Sequence, residues 1–532
     1  MFGHERCNVR SSRDVYLDRL VTSARFSVRM NGGWKEGIVD ESQPDRRRRV
    51  TTGISGVDEV LGGGLLPGGV YLLSGGPGTG KTVFANQFCF AAAREGRRAI
   101  YVTMLAESHS RMIRNLESFE YFRPDLLQHG VAYISAVHLI HDQGLETLLE
   151  LIKEEVIRRE ASALALDGLR MGAEIAAASH AEHTMFLDRL AAFLEFSNCT
   201  GLVSTLSEPG IILPEHALAD GLFELRHKKV GRRSVREFMV CKLRGCSALA
   251  GGHLFEIDER GMVLYPRTEA RLARCVQVPG ETGERQRFGI DRLDDMLHGG
   301  LPSGSTTALI GPTGAGKTLL GLHFLAEGAR RGERGLYFGF YESPDRVTAQ
   351  GDGVGLNLSD LRRDGALEII WHRPFEHLID RIMGELLERA RQTGARRLFI
   401  DGAEGLARGA AFPERLPTIL AAVTNELRAR GISTLLSIEG QLMGHSIVPE
   451  HVWSALVENV IVLRYVELQS HLRRLIWIVK VRESDFESSL REFSISRGGI
   501  QVAETFESAE AILSGIARVD HRRDELERGD RP

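Results

Sequence analysis

The sequence contains little lysine. Of its 67 basic residues only eight are lysine, and 59 are arginine. Four of the eight lysines lie in two pairs of related segments, at Lys81 and Lys317 and at Lys242 and Lys480. A planar guanidinium does not easily replace the flexible point charge of a lysine side chain. We therefore expect these four lysines to have specific roles.

Cysteines and long apolar runs are also scarce. The six cysteines lack the paired spacing of a zinc site, which predicts reduced thiols that pack as small apolar groups. The first 20 residues carry charge where a signal peptide needs an apolar core, and no run approaches the roughly 18 apolar residues of a membrane span. A net charge of −4 gives no overall attraction to nucleic acid or anionic lipid. The sequence therefore predicts a cytoplasmic protein without a membrane partner.

The 532 residues contain an internal repeat, and their number exceeds what one hydrophobic core usually supports. The segment "TGISGVDEVLGGGLLPGG" (52–69) has a counterpart in "FGIDRLDDMLHGGLPSG" (288–304). After each segment, apolar strands alternate with helical patterns, which predicts a parallel sheet with right-handed crossovers. Close-set strands later in each repeat predict an antiparallel extension. The predicted fold class is α/β, with two tandem domains, each with helices on both faces of a mostly parallel sheet.

The composition predicts where these domains begin and end. The interval between the repeats is charged and rich in turn residues, and both chain ends are strongly charged. The predicted segments are an N-terminal arm (1–49), a first domain (50–266), a linker (267–284), a second domain (285–503) and a C-terminal helix and tail (504–532).

A glycine-rich loop follows the first strand of each repeat. The two loops read "GGPGTGKT" and "GPTGAGKT", and their lysines are 236 residues apart. Both fit the pattern G-x-x-x-x-G-K-[ST], whose backbone N–H groups surround phosphate oxygens while the lysine reaches the outer phosphates. The predicted ATP-binding residues are Gly76, Gly78, Thr79, Gly80, Lys81 and Thr82 in the first loop, and Thr313, Gly314, Ala315, Gly316, Lys317 and Thr318 in the second.

Two aspartates complete the predicted metal sites. Asp167 ends the apolar run "ALALD", and Asp401 ends "RLFID". A carboxylate at the carboxyl edge of the sheet, beside the loop, holds Mg²⁺ through water, while the loop threonine places its hydroxyl on the ion. We therefore expect Mg²⁺ near Thr82 and Asp167, and near Thr318 and Asp401.

Together these motifs resemble the KaiC family of RecA-type ATPases. The resemblance includes the "KLRG" motif near the end of the first domain and covers residues 50 to 503. It implies two tandem RecA-like domains that stack into a double-ring hexamer, with ATP at the subunit interfaces. The implied activities are slow ATP hydrolysis and, in the clock proteins, autophosphorylation of the second ring. The favoured function is a hexameric ATPase that signals its nucleotide state to a protein partner, as yet unidentified.

The resemblance also implies catalytic glutamates, although this chain departs from the family pattern. KaiC proteins end the strand after the P-loop helix with two glutamates that polarise the attacking water or hydroxyl. Here the segments are "LAES" and "FYES", so Ala106 and Tyr341 replace the first glutamate of each pair. Glu107 and Glu342 remain as the implied catalytic carboxylates.

The resemblance further implies cations that act across a subunit boundary. "KLRG" is similar to the strand whose lysine and arginine reach the neighbouring subunit's ATP, which assigns this role to Lys242 and Arg244. Lys480 and Arg482 are their counterparts in the second domain, where Glu483 stands in place of the glycine. Such cations stabilise the charge on the transferred phosphoryl group, like an arginine finger supplied by a neighbour.

Two alternative functions stay open at this stage. A KaiC-like serine/threonine autokinase would use Ser454, because Ala455 stands where the family's threonine is expected. A RadA-like or DnaB-like DNA motor would need basic loops with stacking aromatics after each metal-holding aspartate. The segments there carry few cations, no zinc-type cysteine set precedes the first loop, and the basic run "DRRRR" (45–49) is typical of a solvated tail. The sequence therefore argues against a nucleic-acid partner.

Overall fold

The computed structural model describes residues 26–30, 33–37, 49–104, 109–127, 129–175, 178–206, 215–273, 283–373, 378–440, 457–468, 471–482 and 484–503. Strands β1 (Phe26–Met30) and β2 (Gly33–Gly37) pair antiparallel with each other. Two nine-stranded sheets form the centres of the two large domains.

The first domain alternates strands and helices before it continues in close-set strands. Its elements are α1 Val57–Val60, β3 Val70–Gly75, α2 Lys81–Arg94, β4 Ala99–Thr103, α3 His109–Leu116, β5 Val131–Ser135, α4 Val137–Arg159, β6 Ala163–Asp167, α5 Leu169–Ile175, α6 His180–Ser197, β7 Thr200–Thr205, α7 Glu215–Leu218, β8 Gly221–Val230, β9 Arg233–Leu243, β10 Gly252–Asp258, β11 Gly261–Tyr265 and α8 Thr268–Arg271.

The second domain repeats this plan with small differences. Its elements are β12 Arg285–Gln286, α9 Asp291–Met296, β13 Leu301–Pro302, β14 Thr306–Gly311, α10 Lys317–Arg330, β15 Gly335–Gly339, α11 Pro344–Asp352, α12 Leu358–Arg363, β16 Leu367–Trp371, α13 Ile379–Thr393, β17 Arg397–Asp401, α14 Glu404–Gly409, α15 Leu416–Ala429, β18 Ser433–Glu439, β19 Asn459–Leu468, β20 His471–Lys480, β21 Arg491–Ser496 and β22 Gly499–Val502.

The two large sheets have the same strand order. The first runs β5-β4-β6-β7-β3-β8-β9-β10-β11, and the second runs β16-β15-β17-β18-β14-β19-β20-β21-β22. The first six strands of each order are parallel, and the last three extend the sheet antiparallel. The predicted α/β class, with its mostly parallel sheets and antiparallel extensions, is confirmed.

The loop-bearing strand lies inside each sheet because its residues are apolar on both faces. All residues of β3 and β14 are buried, which is typical of a parallel strand covered by helices on both sides. Successive residues of β3 point to opposite faces, so Tyr71 and Leu73 join one core cluster while Val70 and Leu72 join the other. The rigid sheet therefore fixes the start of each glycine loop.

The end of the first domain packs against the second domain. Helix α8 begins inside the interval that the sequence assigns to a linker. The backbone N–H and the Oγ1 hydroxyl of Thr268 each donate to Oδ1 of Asp380, on α13, at 2.9 Å. Arg415 lies just before α15 and binds both Glu269, at 2.8 Å, and Asp380, at 2.9 Å. The side chain of Asp380 is fully buried. We call Thr268, Glu269, Asp380 and Arg415 the interdomain clasp.

No helix in the described part of the chain is both long enough and apolar enough to cross a membrane.

Candidate nucleotide-binding sites

Each glycine loop joins the carboxyl end of a buried strand to the start of a helix. The first loop lies between β3 and α2, and the second lies between β14 and α10. Gly80 directly precedes α2 with a left-handed φ of 106°, and a Cβ there would lie 2.9 Å from Ile257 Cδ1. Gly316 repeats this conformation before α10, with a φ of 107°. Only glycine fits here without strain, and the amino end of the helix faces the loop.

The two loop lysines fold back over their own loops. Lys81 Nζ donates to the carbonyl oxygens of Gly75, at 2.7 Å, and Gly76, at 2.8 Å. Lys317 Nζ donates in the same way to Gly311, at 2.7 Å, and to the following residue, at 3.0 Å. Burial lowers the pKa of both lysines, although nearby carboxylates oppose that effect. Each loop thus holds a partly buried ammonium group whose partners are neutral carbonyls, and such a group favours an anionic ligand.

Asp167 lies behind the first loop and accepts hydrogen bonds on both oxygens. Thr82 Oγ1 donates to Oδ2 at 3.0 Å, and the hydroxyl of Tyr101 donates to the same oxygen at 2.6 Å. Ser204 Oγ donates to Oδ1 and itself accepts from the backbone N–H of Gly168 at 3.0 Å. The structure therefore brings together the two predicted metal-site residues, Thr82 and Asp167.

Asp401 has the same surroundings in the second domain. Thr318 Oγ1 and the hydroxyl of Tyr337 each donate to Oδ2 at 2.9 Å. Ser437 Oγ donates to Oδ1 at 2.6 Å and accepts from the backbone N–H of Gly402 at 2.7 Å. The predicted residues Thr318 and Asp401 therefore also lie together.

The tyrosines and serines beside these aspartates were not predicted from the sequence. The repeat contained a signal for them, because tyrosine is the third residue of both β4 and β15, and serine is the fifth residue of both β7 and β18. Aligning the repeats strand by strand, rather than by the loops alone, would have selected these four positions.

Within the described residues, the second loop has side-chain contacts that are not repeated at the first loop. Thr313 Oγ1 donates to Glu439 Oε1 at 2.6 Å, and the hydroxyl of Tyr465 donates to the carbonyl of Gly314 at 2.6 Å. The first loop instead closes on itself, since Thr79 Oγ1 donates to the carbonyl of Gly76 at 2.8 Å. The second loop is therefore attached to both strands that flank β14, through Glu439 of β18 and Tyr465 of β19.

The predicted catalytic glutamates are placed for one domain. Glu342 follows β15 and is half-buried. Burial, the charge of Asp401 and, to a smaller extent, the charge of Glu342 all raise the pKa of Tyr337. Glu342 is therefore near the tyrosine whose hydroxyl donates to Asp401. Tyr341 is 48% exposed, and its ring packs where a Cβ on Gly402 would lie. Glu107 and Ala106 lie outside the described residues.

The predicted cations of the first domain lie away from their own loop. Strand register places Lys242 beside Leu222, which is level with Leu72 of β3. Gly75, where the loop begins, is three residues beyond Leu72 along β3, or roughly 10 Å in the strand direction. Lys242 Nζ donates to the carbonyls of His216, at 3.0 Å, and Ala217, at 2.8 Å. Arg244 also donates to Ala217, at 3.1 Å.

The cations of the second domain have the same placement. Lys480 pairs with Val460, which is level with Ala308 of β14, three residues before the loop. The Nζ of Lys480 donates to the carbonyl of Val457 at 3.0 Å. Arg482 is exposed just beyond the end of β20. The structure thus does not bring either lysine–arginine pair to the loop of its own domain.

Several other predicted features fall partly outside the described residues. Glu483, Ser454 and Ala455 belong to this group, as do residues 45–48 of the basic run. Arg49, the last residue of that run, donates to the carbonyl of Gly64 at 3.1 Å. Among the described cysteines, Cys89 and Cys199 are buried free thiols, while two others are more accessible.

The donor set of each pocket fits Mg²⁺ better than a metal that needs an all-protein site. The described residues contain no group of three or more histidine, cysteine, aspartate or glutamate side chains that could hold a metal ion. Each pocket brings the hydroxyl of the loop threonine and the carboxylate of the strand-end aspartate together beside a loop shaped for phosphate. Mg²⁺ is typically held by one or two carboxylates together with phosphate oxygens and water.

Comparisons with known proteins agree with this geometry. A family model described as "ATPase: KaiC" matches the chain twice, over residues 50–269 and 286–507. The circadian clock oscillator protein KaiC of a Picosynechococcus species is 29% identical over 487 residues, which cover 88% of this chain and 92% of that protein. Circadian clock oscillator protein KaiC 1 of a Synechocystis species is 29% identical over 502 residues, covering 90% of this chain and 94% of that protein.

Proposed function

This chain belongs to the KaiC family of P-loop ATPases, and from that premise we propose that both of its domains bind ATP with Mg²⁺ and hydrolyse it. The observation that carries the proposal is the duplicated arrangement of a loop lysine in front of a threonine–aspartate pair. Two pockets with the same donors in the same positions are expected of two nucleotide sites that arose by duplication.

In this proposal the loop residues hold the nucleotide. Backbone N–H groups of the loops from Gly76 to Thr82 and from Thr313 to Thr318 bind the phosphates, and Lys81 and Lys317 turn from their loop carbonyls to the outer phosphates. Thr82 with Asp167, and the equivalent pair in the second domain, hold Mg²⁺. When bound, the ion neutralises charge that develops on the phosphates.

Hydrolysis needs a group that orients the attacking water. We assign this role to Glu107 in the first domain and to Glu342 in the second, as the family pattern implies. The half-buried position of Glu342, near the tyrosine that donates to Asp401, supports its assignment.

The proposal also includes assembly. The lysines of the lysine–arginine pairs lie roughly 10 Å along the sheet from their own loops, which favours a role at a nucleotide held by another subunit. We therefore propose a ring, hexameric as in the family, in which Lys242 and Arg244, and Lys480 and Arg482, complete the neighbour's pockets. We further propose that the ring signals its nucleotide state to a protein partner.

The test removes both loop lysines. We expect the chain with Lys81→Ala and Lys317→Ala combined to lose ATP hydrolysis, while each single variant keeps the activity of the other pocket. Lys153→Ala is the matched control, because this lysine pairs with Glu150 on the surface of α4. Phosphate release and molecular mass would be measured with and without Mg-ATP. Hydrolysis that survives the double change would contradict the proposal.

A further inference from the structure

Three hydroxyl groups surround each metal-holding aspartate, and the arrangement is the same in both domains. One hydroxyl belongs to the loop threonine, which the proposed function already uses. The other two belong to Tyr101 and Ser204 in the first domain, and to Tyr337 and Ser437 in the second. We call these four residues the hydroxyl bracket. The P-loop pattern does not account for them.

The direction of each hydrogen bond in the bracket is fixed by its surroundings. The backbone N–H of Gly168 donates to Ser204 Oγ, so the serine proton points at Asp167. Tyr101 is fully buried on β4, and its hydroxyl donates to Asp167 Oδ2 at 2.6 Å. The aspartate therefore accepts hydrogen bonds from all three hydroxyls.

We propose that the hydroxyl bracket positions the metal-holding aspartates and thereby sets the Mg²⁺ affinity of both pockets. The inference rests on the proposed function, since it assumes that Asp167 and Asp401 hold the metal. The bracket residues act as positioning residues, because they contact the aspartate and not the ion.

The geometry explains why the bracket is needed. Oδ2 of Asp167 accepts from both Thr82 and Tyr101, and Thr82 must also offer a lone pair to the metal. If the tyrosine hydroxyl is lost, only a threonine that is itself a metal ligand holds this oxygen. Partners that orient metal-binding groups typically change metal affinity by about 10-fold to 100-fold when they are removed.

A competing effect has the opposite sign. A hydroxyl that donates to a carboxylate withdraws negative charge from it, so its removal would strengthen the attraction between carboxylate and metal. We expect orientation to dominate because Asp167 is 3% exposed and has little water to replace the lost donor. The sign of the measured change therefore distinguishes a positioning role from a polarising one.

The experiment isolates one pocket at a time in the full-length chain. Tyr101→Phe is placed in the Lys317→Ala chain, and Tyr337→Phe in the Lys81→Ala chain. Phenylalanine keeps the ring, which packs 5.2 Å from the ring of Tyr133, and removes only the hydroxyl. Binding of a fluorescent ATP analogue is measured in EDTA and across a Mg²⁺ titration.

We expect the half-saturating Mg²⁺ concentration to rise at least about 10-fold, with unchanged binding in EDTA. Tyr71→Phe is the matched control. That tyrosine is also fully buried on a strand of the same sheet, but its hydroxyl accepts from the backbone N–H of Leu66 at 2.6 Å, at the opposite end of the strand.

The outcomes separate this inference from the proposed function. If the unaltered chain binds no nucleotide with Mg²⁺, the proposed function fails. If it binds but Tyr101→Phe shows an unchanged or lower Mg²⁺ requirement, only the bracket is overturned. Circular dichroism checks folding, and Ser204→Ala carries the same test if the tyrosine variant is unfolded. A shift as large in Tyr71→Phe would show a general loss of packing and would also overturn the inference.

Discussion

Among the described residues, more carboxylates lie near Lys317 than near Lys81. Glu404, Glu439 and Asp401 oppose the effect of burial on the pKa of Lys317, whereas Asp167 is the described carboxylate that does so for Lys81. Glu439 lies at the end of β18, between the strand of the second loop and the strand of Asp401, and its backbone N–H donates to Glu404. In the first domain, Leu206 stands at the position of Glu439 and Arg170 at the position of Glu404, and Arg170 donates to the carbonyl of Leu206 at 3.1 Å. At these two matched positions the pockets therefore differ in charge despite their common plan.

This difference leads to a prediction for Glu439→Gln in the Lys81→Ala chain. Removing an exposed carboxylate beside the second loop should tighten Mg-free binding of an ATP analogue by a few-fold, about 0.5–1 kcal/mol, because the triphosphate is no longer repelled. The gain should shrink as salt is raised, since an exposed charge is screened. Titrations at low and high salt measure both effects. The control is Glu426→Gln on α15, and equal tightening in that variant would contradict a local cause.

The residues at the pockets show which parts of the site the sequence could predict. The loops and their aspartates follow from local patterns, so the sequence was sufficient to predict the placement of Thr82 and Asp167 side by side. Tyr101 was missed because a tyrosine within a buried strand is usually only a core residue. Its contact with Asp167 depends on β4 lying beside β6, and local patterns do not reveal that order.

At the scale of elements, the antiparallel extension decides where the cations lie. β8 and β9 form a long hairpin beside the loop-bearing strand, and a register shift between Leu222 and Phe223 has a counterpart between Val460 and Ile461 in the second domain. The predicted family and fold class are confirmed, but this register could not be predicted, because it depends on backbone pairing that the apolar pattern does not fix. The same irregularity in both copies places both lysines at equivalent points.

Lys242→Ala tests the role of this hairpin. We expect ATP hydrolysis to fall roughly 10-fold or more with little change in ATP affinity, because a cation that acts on the transferred phosphoryl contributes mainly in the transition state. Phosphate release and equilibrium binding are measured on the same preparation. Lys229→Ala, on the same hairpin but exposed near its far end, serves as the control. Equal losses of binding and turnover would indicate simple phosphate anchoring instead.

At the scale of the whole molecule, the interdomain clasp joins the two sheets. Asp380 is buried and accepts from Thr268 and Arg415, so removal of the arginine leaves its charge without its ionic partner. Burial alone would raise the pKa of Glu269, but hydrogen bonds from Arg415 and Arg267 outweigh it and lower that pKa to about 2. The clasp residues are spread over 148 positions of the sequence, and no motif connects them.

We therefore expect Arg415→Ala to lower the free energy of unfolding by about 3–5 kcal/mol, the usual effect of breaking a buried ion pair. The pH dependence has a defined sign. Because the pKa of Glu269 is depressed in the folded protein, its contribution is present above about pH 4.5 and is lost as the pH falls towards 2. Denaturant unfolding from pH 7 to 3 measures both.

Arg389→Ala is the control for the clasp, since its contact with Glu368 is long, at 3.8 Å, and partly exposed. If Arg415→Ala were as stable as this control, the domains would be held together by other contacts. The same conclusion would follow if the difference in unfolding free energy between Arg415→Ala and the unaltered chain did not shrink as the pH is lowered.

The position of each lysine–arginine pair, away from the loop on its own sheet, has a consequence for heredity. If these pairs serve a neighbour, two defective alleles with lesions on opposite faces could restore a working pocket wherever their products sit side by side. A single defective allele would conversely spoil assemblies that it shares with intact copies, so its effect would be dominant. Genetic complementation between alleles would thus report the polarity of this architecture inside a living cell.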